Sequence, residues 1–218
     1  MNLNTVIFDM DGLLIDSEPL WKEASDKLFS GYGIQLTAEE YSITTGLRTK
    51  EFLDFWFDHF KIVPEDTLDA ENKIVDYVTE LVIQKGKPMP GVSHIFNFFI
   101  ERDFNIGLAT SSGPQLINVV IDLLNIRKYI QVVSSAADLT YGKPHPEVYL
   151  NCAEKLSALP DQCICFEDSF NGMIAAKAAK MKCVIVPALA ENGNPVWETA
   201  DLKILSLTDF NQLLLNKL

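Results

Sequence analysis

One short strand stands apart from every other strand-like run in the chain. Thr5-Val6-Ile7-Phe8 is β-branched and aromatic, and it is cut off by Asp9-Met10-Asp11-Gly12. A buried strand ending in a polar, glycine-containing turn is the usual setting of a site in an α/β protein. The next strand-like run comes only at residues 105–109. Between the two, from Ser17 to about Lys87, apolar residues recur at helical spacing. A helical segment, 17–87, is therefore expected as an insertion between the first strand and the rest of a sheet.

Within that segment Thr37-Ala38-Glu39-Glu40 is a capping box that opens a helix. Residues 51–60 place Phe52, Phe55, Trp56 and Phe60 at helical spacing, as core. Pro64 is expected to open a long helix, with Leu68, Ile74, Val78, Leu81 and Val82 on one face and a stop near Gly86. Lys87-Pro88-Met89-Pro90-Gly91 is a stiff, helix-breaking boundary.

After Gly91 the pattern alternates. Helices are expected over 92–101, 114–125, 146–156 and 172–179. Strands are expected over 105–109, 130–134, 163–166 and 183–186. A weak strand at 203–205 and a helix from Thr208 close the chain. Such alternation predicts an α/β fold with a doubly wound parallel sheet. Residues 1–16 and 88–218 would form the core, and 17–87 a helical domain.

Composition narrows the function. The 218 residues are 48% hydrophobic, enough for a sizeable core, and carry a net charge of -12. That charge disfavours nucleic acid and anionic membranes as partners. It also disfavours phosphorylated ligands unless a local site reverses the sign. The N-terminal Met1-Asn2-Leu3-Asn4-Thr5 has no basic stretch or long apolar core, so no secretion signal is expected. Cys152, Cys163, Cys165 and Cys183 show no metal-ligand spacing and read as core thiols of a reducing, cytoplasmic compartment. Cys163 and Cys165 are expected on opposite faces of one strand. A monomer is the default expectation.

The ends of the expected strands carry the chemistry: Asp9-Met10-Asp11-Gly12, Thr110-Ser111-Ser112-Gly113 and Glu167-Asp168-Ser169, with Tyr141-Gly142-Lys143-Pro144 between the last two. In a parallel sheet these gather at one edge. Carboxylates crowded in one cleft call for a hard divalent cation such as magnesium. Hydroxyls, main-chain N–H groups and an ammonium bind phosphate oxygens. One carboxylate can attack phosphorus, and a second can protonate the leaving oxygen.

On these motifs, in this order, and on Lys143-Pro144-His145-Pro146, the sequence resembles the magnesium-dependent phosphatases of the haloacid dehalogenase superfamily. The resemblance implies a Rossmann-like core with an inserted helical cap. It implies Asp9 as nucleophile and metal ligand, and Asp11 as general acid/base whose main-chain carbonyl touches the metal. Thr110 and Lys143, with the N–H groups of Met10, Asp11 and Ser111, would bind phosphate. Asp168 would ligate Mg2+ directly and Glu167 directly or through water.

Asp9 through Trp21, Gly46-Leu47-Arg48 and Asn171-Gly172-Met173-Ile174-Ala175 further resemble a bacterial group of sugar and hexitol phosphatases, whose substrates include 2-deoxyglucose 6-phosphate. The implied substrate is a small sugar or polyol phosphate, with Trp21 and Arg48 of the cap as substrate contacts. Asp16 and Glu18 are read as orienting the loop or meeting the substrate. The β-phosphoglucomutase-like mutases share cap type and motifs and form the alternative; they carry a histidine where Trp21 stands here. A dehalogenase is disfavoured because it lacks the second aspartate, and a non-catalytic module because both aspartates are present.

Overall fold

The computed structural model describes residues 3–218; Met1 and Asn2, part of the N-terminal reading, lie outside them. Strand β1 (Thr5–Phe8) leads into four helices, α1 (Glu18–Ser30), α2 (Ala38–Ile43), α3 (Thr49–His59) and α4 (Thr67–Lys85). There follow α5 (Val92–Ile100), β2 (Asn105–Thr110), α6 (Pro114–Leu123), β3 (Val132–Ser135) and α7 (Glu147–Lys155). The chain ends with β4 (Cys163–Glu167), α8 (Phe170–Ala178), β5 (Lys182–Ile185), β6 (Leu202–Lys203) and α9 (Gln212–Leu215). The strands form one parallel sheet in the order β3-β2-β1-β4-β5-β6, the Rossmann-like α/β arrangement. The strand that comes first in sequence therefore lies at the centre, where the order of the chain reverses.

Side chains on β1 divide between two cores because a strand has a period of two. Val6 and Phe8 join a cluster with Phe96 and Phe99 of α5 and Val120 of α6. Phe8 stacks on Phe96 with centroids 5.0 Å apart and tilts against Phe166 at 5.3 Å. Ile7 faces the other way, onto Tyr149 and Cys152 of α7 and Met173 of α8. Each such fully buried side chain contributes about 1.5–3 kcal/mol. The same period corrects one expectation: Cys163 and Cys165 share the Ile7 face, while Ile164 and Phe166 take the opposite one. All four cysteines are buried and free, as expected of core thiols.

The helical segment departs from its sequence reading in detail. The Thr37/Glu40 capping box is formed, with Thr37 Oγ1 accepting from the Glu40 N–H at 3.1 Å. The long helix starts at Thr67 rather than near Pro64, because the Asp66 carboxylate caps it by accepting from Leu68 and Asp69. Its buried face is Ala70, Ile74, Val78 and Val82, one residue every fourth position, and Leu68 is left exposed. On α3 the inward residues are Phe52, Leu53, Trp56 and Phe57; Phe55 and Phe60 lie at the surface end of the stripe. The C-terminal helix begins at Gln212, after a 3₁₀ turn at Leu207–Asp209.

The inserted segment joins the rest through two strands of chain held side by side. Asp16 N–H donates to the Lys87 carbonyl at 2.9 Å and Met89 N–H to the Leu14 carbonyl at 2.9 Å. Ile15 and Pro88 form an antiparallel bridge between them. Helix α1 packs on α4, and α4 packs on α6 beside the sheet. Among the described residues no helix is long and apolar enough to cross a membrane.

Candidate active site

The carboxyl ends of β1, β2 and β4 open onto one cleft. Asp9 and Asp11 come from the turn after β1, Thr110 from the last position of β2, Ser111 and Ser112 from the loop after it, and Asp168 from the turn after β4. Gly12 permits the first turn. Its φ is +74°, and a Cβ there would stand 2.0 Å from Asp168 Oδ2. A glycine is thus needed both for the left-handed backbone and for the approach of the two acidic turns.

Lys143 is fully buried behind this floor rather than on its wall. Its Nζ pairs with Asp9 and, at 2.6 Å, with Glu167 Oε1, and donates to the Ala109 carbonyl at 3.3 Å. Burial pulls against the ammonium, but Asp9 and Glu167 outweigh it and its pKa is raised. Glu167 is held by more donors still. Tyr149 Oη–H reaches Oε1 at 2.6 Å, while the N–H groups of Asp168 and Ser169 and the Ser169 hydroxyl reach Oε2 at 3.1–3.2 Å. The first turn of α8 closes over it: a Cβ at Gly172 would lie 1.7 Å from Glu167 Oε1, so only glycine fits.

The residues present suit a hard cation. Carboxylate oxygens of Asp9, Glu167 and Asp168 lie within 4.8 Å of one another. Burial pushes the carboxyls of Asp9 and Asp168 well above the usual carboxylate range, with neighbouring carboxylates adding to it. A divalent cation would reverse that penalty. Asp168 takes no side-chain hydrogen bond among the described residues, so its oxygens are available as ligands. Glu167 has both oxygens saturated, which suits a water-mediated place better than a direct one.

Asp11 is held differently. Its Oδ1 accepts from Ser17 Oγ at 2.7 Å and from the Trp21 indole at 3.0 Å; its Oδ2 accepts from Ser112 Oγ at 2.7 Å. Trp21 lines the cleft with this N–H committed to Asp11. Among the described residues, the N–H groups of Met10, Asp11 and Ser111 meet no protein acceptor, as a phosphate cradle requires. The Met10 side chain itself is buried in the core.

Arg48 does not line the cleft. Its Nη1 donates to the carbonyls of Leu139 at 3.0 Å and Ala136 at 3.4 Å, and Nη2 pairs with Glu51 at 2.5 Å. It ties the inserted segment to the loop that precedes Lys143. Two more bonds run alongside: Ser111 Oγ donates to the Gly46 carbonyl at 2.7 Å and Asn171 Nδ2 to the Thr45 carbonyl at 2.9 Å. The roof of the cleft is instead Glu18, Ser25, Tyr41, Thr44, Thr45, Thr49 and Phe52. Of these the sequence singled out Glu18 and Phe52; the hydroxyl residues carry no motif and converge only through helix packing. Ser17, Tyr149 and the Asp11 contact of Ser112 were missed for the same reason.

A central parallel sheet with paired aspartates after its first strand, a buried lysine and an acidic turn after its fourth is an arrangement suited to phosphoryl chemistry. The family model of haloacid dehalogenase-like hydrolases matches residues 6–186, and the chain belongs to that family. It is 37% identical over 204 residues to hexitol phosphatase B of Escherichia coli, covering 93% of this chain and 92% of that one. It is 33% identical over 178 residues to a phosphorylated carbohydrates phosphatase of Thermotoga maritima, covering 81% and 82%. β-Phosphoglucomutase of Clostridium difficile shares the fold, with a TM-score of 0.86 at 23% identity over 99% of this chain and 96% of that chain. The enzyme class expected from the sequence, a phosphoric monoester hydrolase, agrees with the family and with these named phosphatases.

Proposed function

We propose that the protein is a magnesium-dependent phosphatase of small sugar or polyol monophosphates, with residues 1–16 and 88–218 as catalytic core and 17–87 as a specificity cap. Asp9 attacks phosphorus and becomes an aspartyl phosphate while the P–O bond to the sugar breaks. Asp11 gives its proton to the departing alkoxide, then takes one from the water that attacks the acyl phosphate, so phosphate leaves and Asp9 is restored. Thr110 and the free N–H groups of Met10, Asp11 and Ser111 hold the phosphoryl oxygens, and Lys143 offsets their charge from behind Asp9. Asp9, Asp168 and the Asp11 carbonyl would hold Mg2+, with Glu167 behind through water. When bound, the metal neutralises charge on the phosphoryl group and the crowded carboxylates.

The composition of the cleft wall carries the substrate class. Among its lining residues there is no lysine, arginine or histidine, and the roof is hydroxyl, aromatic and one carboxyl. A mutase must hold a sugar with two phosphates, one at each end of its pocket. Here the far end offers partners for hydroxyl groups and none for a second anion. The names of the hexitol and phosphorylated-carbohydrate phosphatases among its relatives support the same reading. The test is a panel of hexitol and hexose monophosphates with Mg2+, read as released phosphate, beside β-glucose 1-phosphate read as glucose 6-phosphate. Phosphate release is expected to dominate. Faster formation of glucose 6-phosphate overturns the phosphatase reading.

A further inference from the structure

Asp11 is approached by three donors from three separate stretches of chain. Ser17 lies at the start of α1, Trp21 one turn into it, and Ser112 in the loop after β2. Two of the three belong to the inserted segment, and only Ser112 belongs to the sheet side. An indole N–H donates and never accepts, whereas a serine hydroxyl can turn to do either. The two carboxylate oxygens are therefore not equivalent. Oδ1 faces Trp21, which can only donate, and is fixed as an acceptor. Oδ2 accepts from Ser112 alone and keeps a second lone-pair position for a proton, whereas Oδ1 already accepts two bonds.

We propose that Trp21 is a positioning residue for proton transfer: it anchors Asp11 through Oδ1 and leaves Oδ2, backed by Ser112, as the oxygen that exchanges protons with the reacting groups. This rests on the reading of Asp11 as general acid/base. Asp11 is then set for protonating a leaving alkoxide only while α1 sits against the sheet edge. The inserted segment contributes to the chemistry through the Trp21 N–H and the Ser17 hydroxyl, both on Oδ1, apart from whatever its roof residues do for the sugar. Hydrogen bonds to a carboxylate are short and orienting, which suits a group that must hold one geometry through two proton transfers.

The experiment compares leaving groups. Hexitol 6-phosphate leaves as an alkoxide and needs the acid; p-nitrophenyl phosphate leaves as a stable phenolate and does not. The ratio of kcat/KM for the two reports the step up to leaving-group departure. Trp21→Phe keeps the ring against the cleft and removes the N–H. Its kcat/KM on hexitol 6-phosphate is expected to fall about tenfold or more, within the range a general acid supplies, while p-nitrophenyl phosphate changes by less than about threefold. Ser112→Ala is expected to shift the ratio in the same direction, with thermal unfolding of both variants checking that the fold is kept. Equal losses on both substrates, a larger loss on the aryl ester, or no loss overturns the proposal. Asp11→Asn separates the two levels. If it keeps hexitol phosphatase activity, the reading of Asp11 itself fails; if it loses that activity while Trp21→Phe leaves the ratio unchanged, only the role of Trp21 fails.

Discussion

Lys143 Nζ and Glu167 Oε1 lie 2.6 Å apart with both side chains almost wholly out of water, and Tyr149 donates to that same oxygen at 2.6 Å. Removing one partner of such a pair leaves a buried charge uncompensated, which typically costs about 3–5 kcal/mol. Lys143→Met is expected to lose stability on that scale in urea unfolding and to lose activity. Tyr149→Phe removes one hydrogen bond to an ionised group and is expected to cost about 1.5–3 kcal/mol. Because Tyr149 stands behind the site, KM should change little in that variant.

Asp9→Asn is expected to abolish magnesium-dependent phosphate release while the protein keeps its fold. Circular dichroism checks the fold and a phosphate assay the loss. Chelation should likewise stop turnover, and added Mg2+ should restore it and raise the Tm, since a ligand that binds the folded state stabilises it.

Glu18 gives a pH signature of the metal-free protein. Burial, with Asp11 and Asp16 beside it, raises its carboxyl from 4.5 to about 8. The unfolded chain gives up that proton first, so the folded state loses stability as pH rises from about 4.5 towards about 8. Unfolding in chelator across that window should show the decline, and Glu18→Gln should flatten part of it. A wild-type stability that rises over the same window contradicts the assignment.

Arg48 ties the segment 17–87 to the loop before Lys143 and does not line the cleft. Arg48→Ala is expected to raise KM about tenfold, the worth of one hydrogen bond from a charged group, and by a similar factor for every sugar phosphate tried. Gly142→Ala should act in the same direction, since a Cβ there would lie 2.5 Å from Glu51 Oε2 and 2.7 Å from Arg48 Nε. A loss confined to one substrate would make Arg48 a specificity residue instead.

The order of the elements and the gathering of Asp9, Asp11, Thr110, Glu167 and Asp168 could be read in one dimension, because each ends or follows a strand in a parallel sheet and parallel strands end together. What could not be read depends on how separate pieces pack. Tyr149 reaches Glu167 only because α7 crosses that face of the sheet, and Ser17 and Trp21 reach Asp11 only because α1 folds back on the edge. The Arg48 side chain points to main-chain carbonyls that no sequence pattern marks. The misplacement of Leu68 and Phe55 has a simpler origin: a helical stripe several residues wide leaves its rim in solvent, and periodicity does not say which side is the rim.

The paired stretches at Leu14–Lys87 have a consequence for how such a protein can change over generations. By holding entry and exit together, they make everything between them a closed side loop off a sheet whose central strand is already placed. The entropy of closing a flexible loop grows only slowly, by about 0.6 kcal/mol for each doubling of its length. A lineage can therefore lengthen, shorten or exchange that loop at little thermodynamic cost, keeping the reacting groups on the sheet while the choice of sugar drifts.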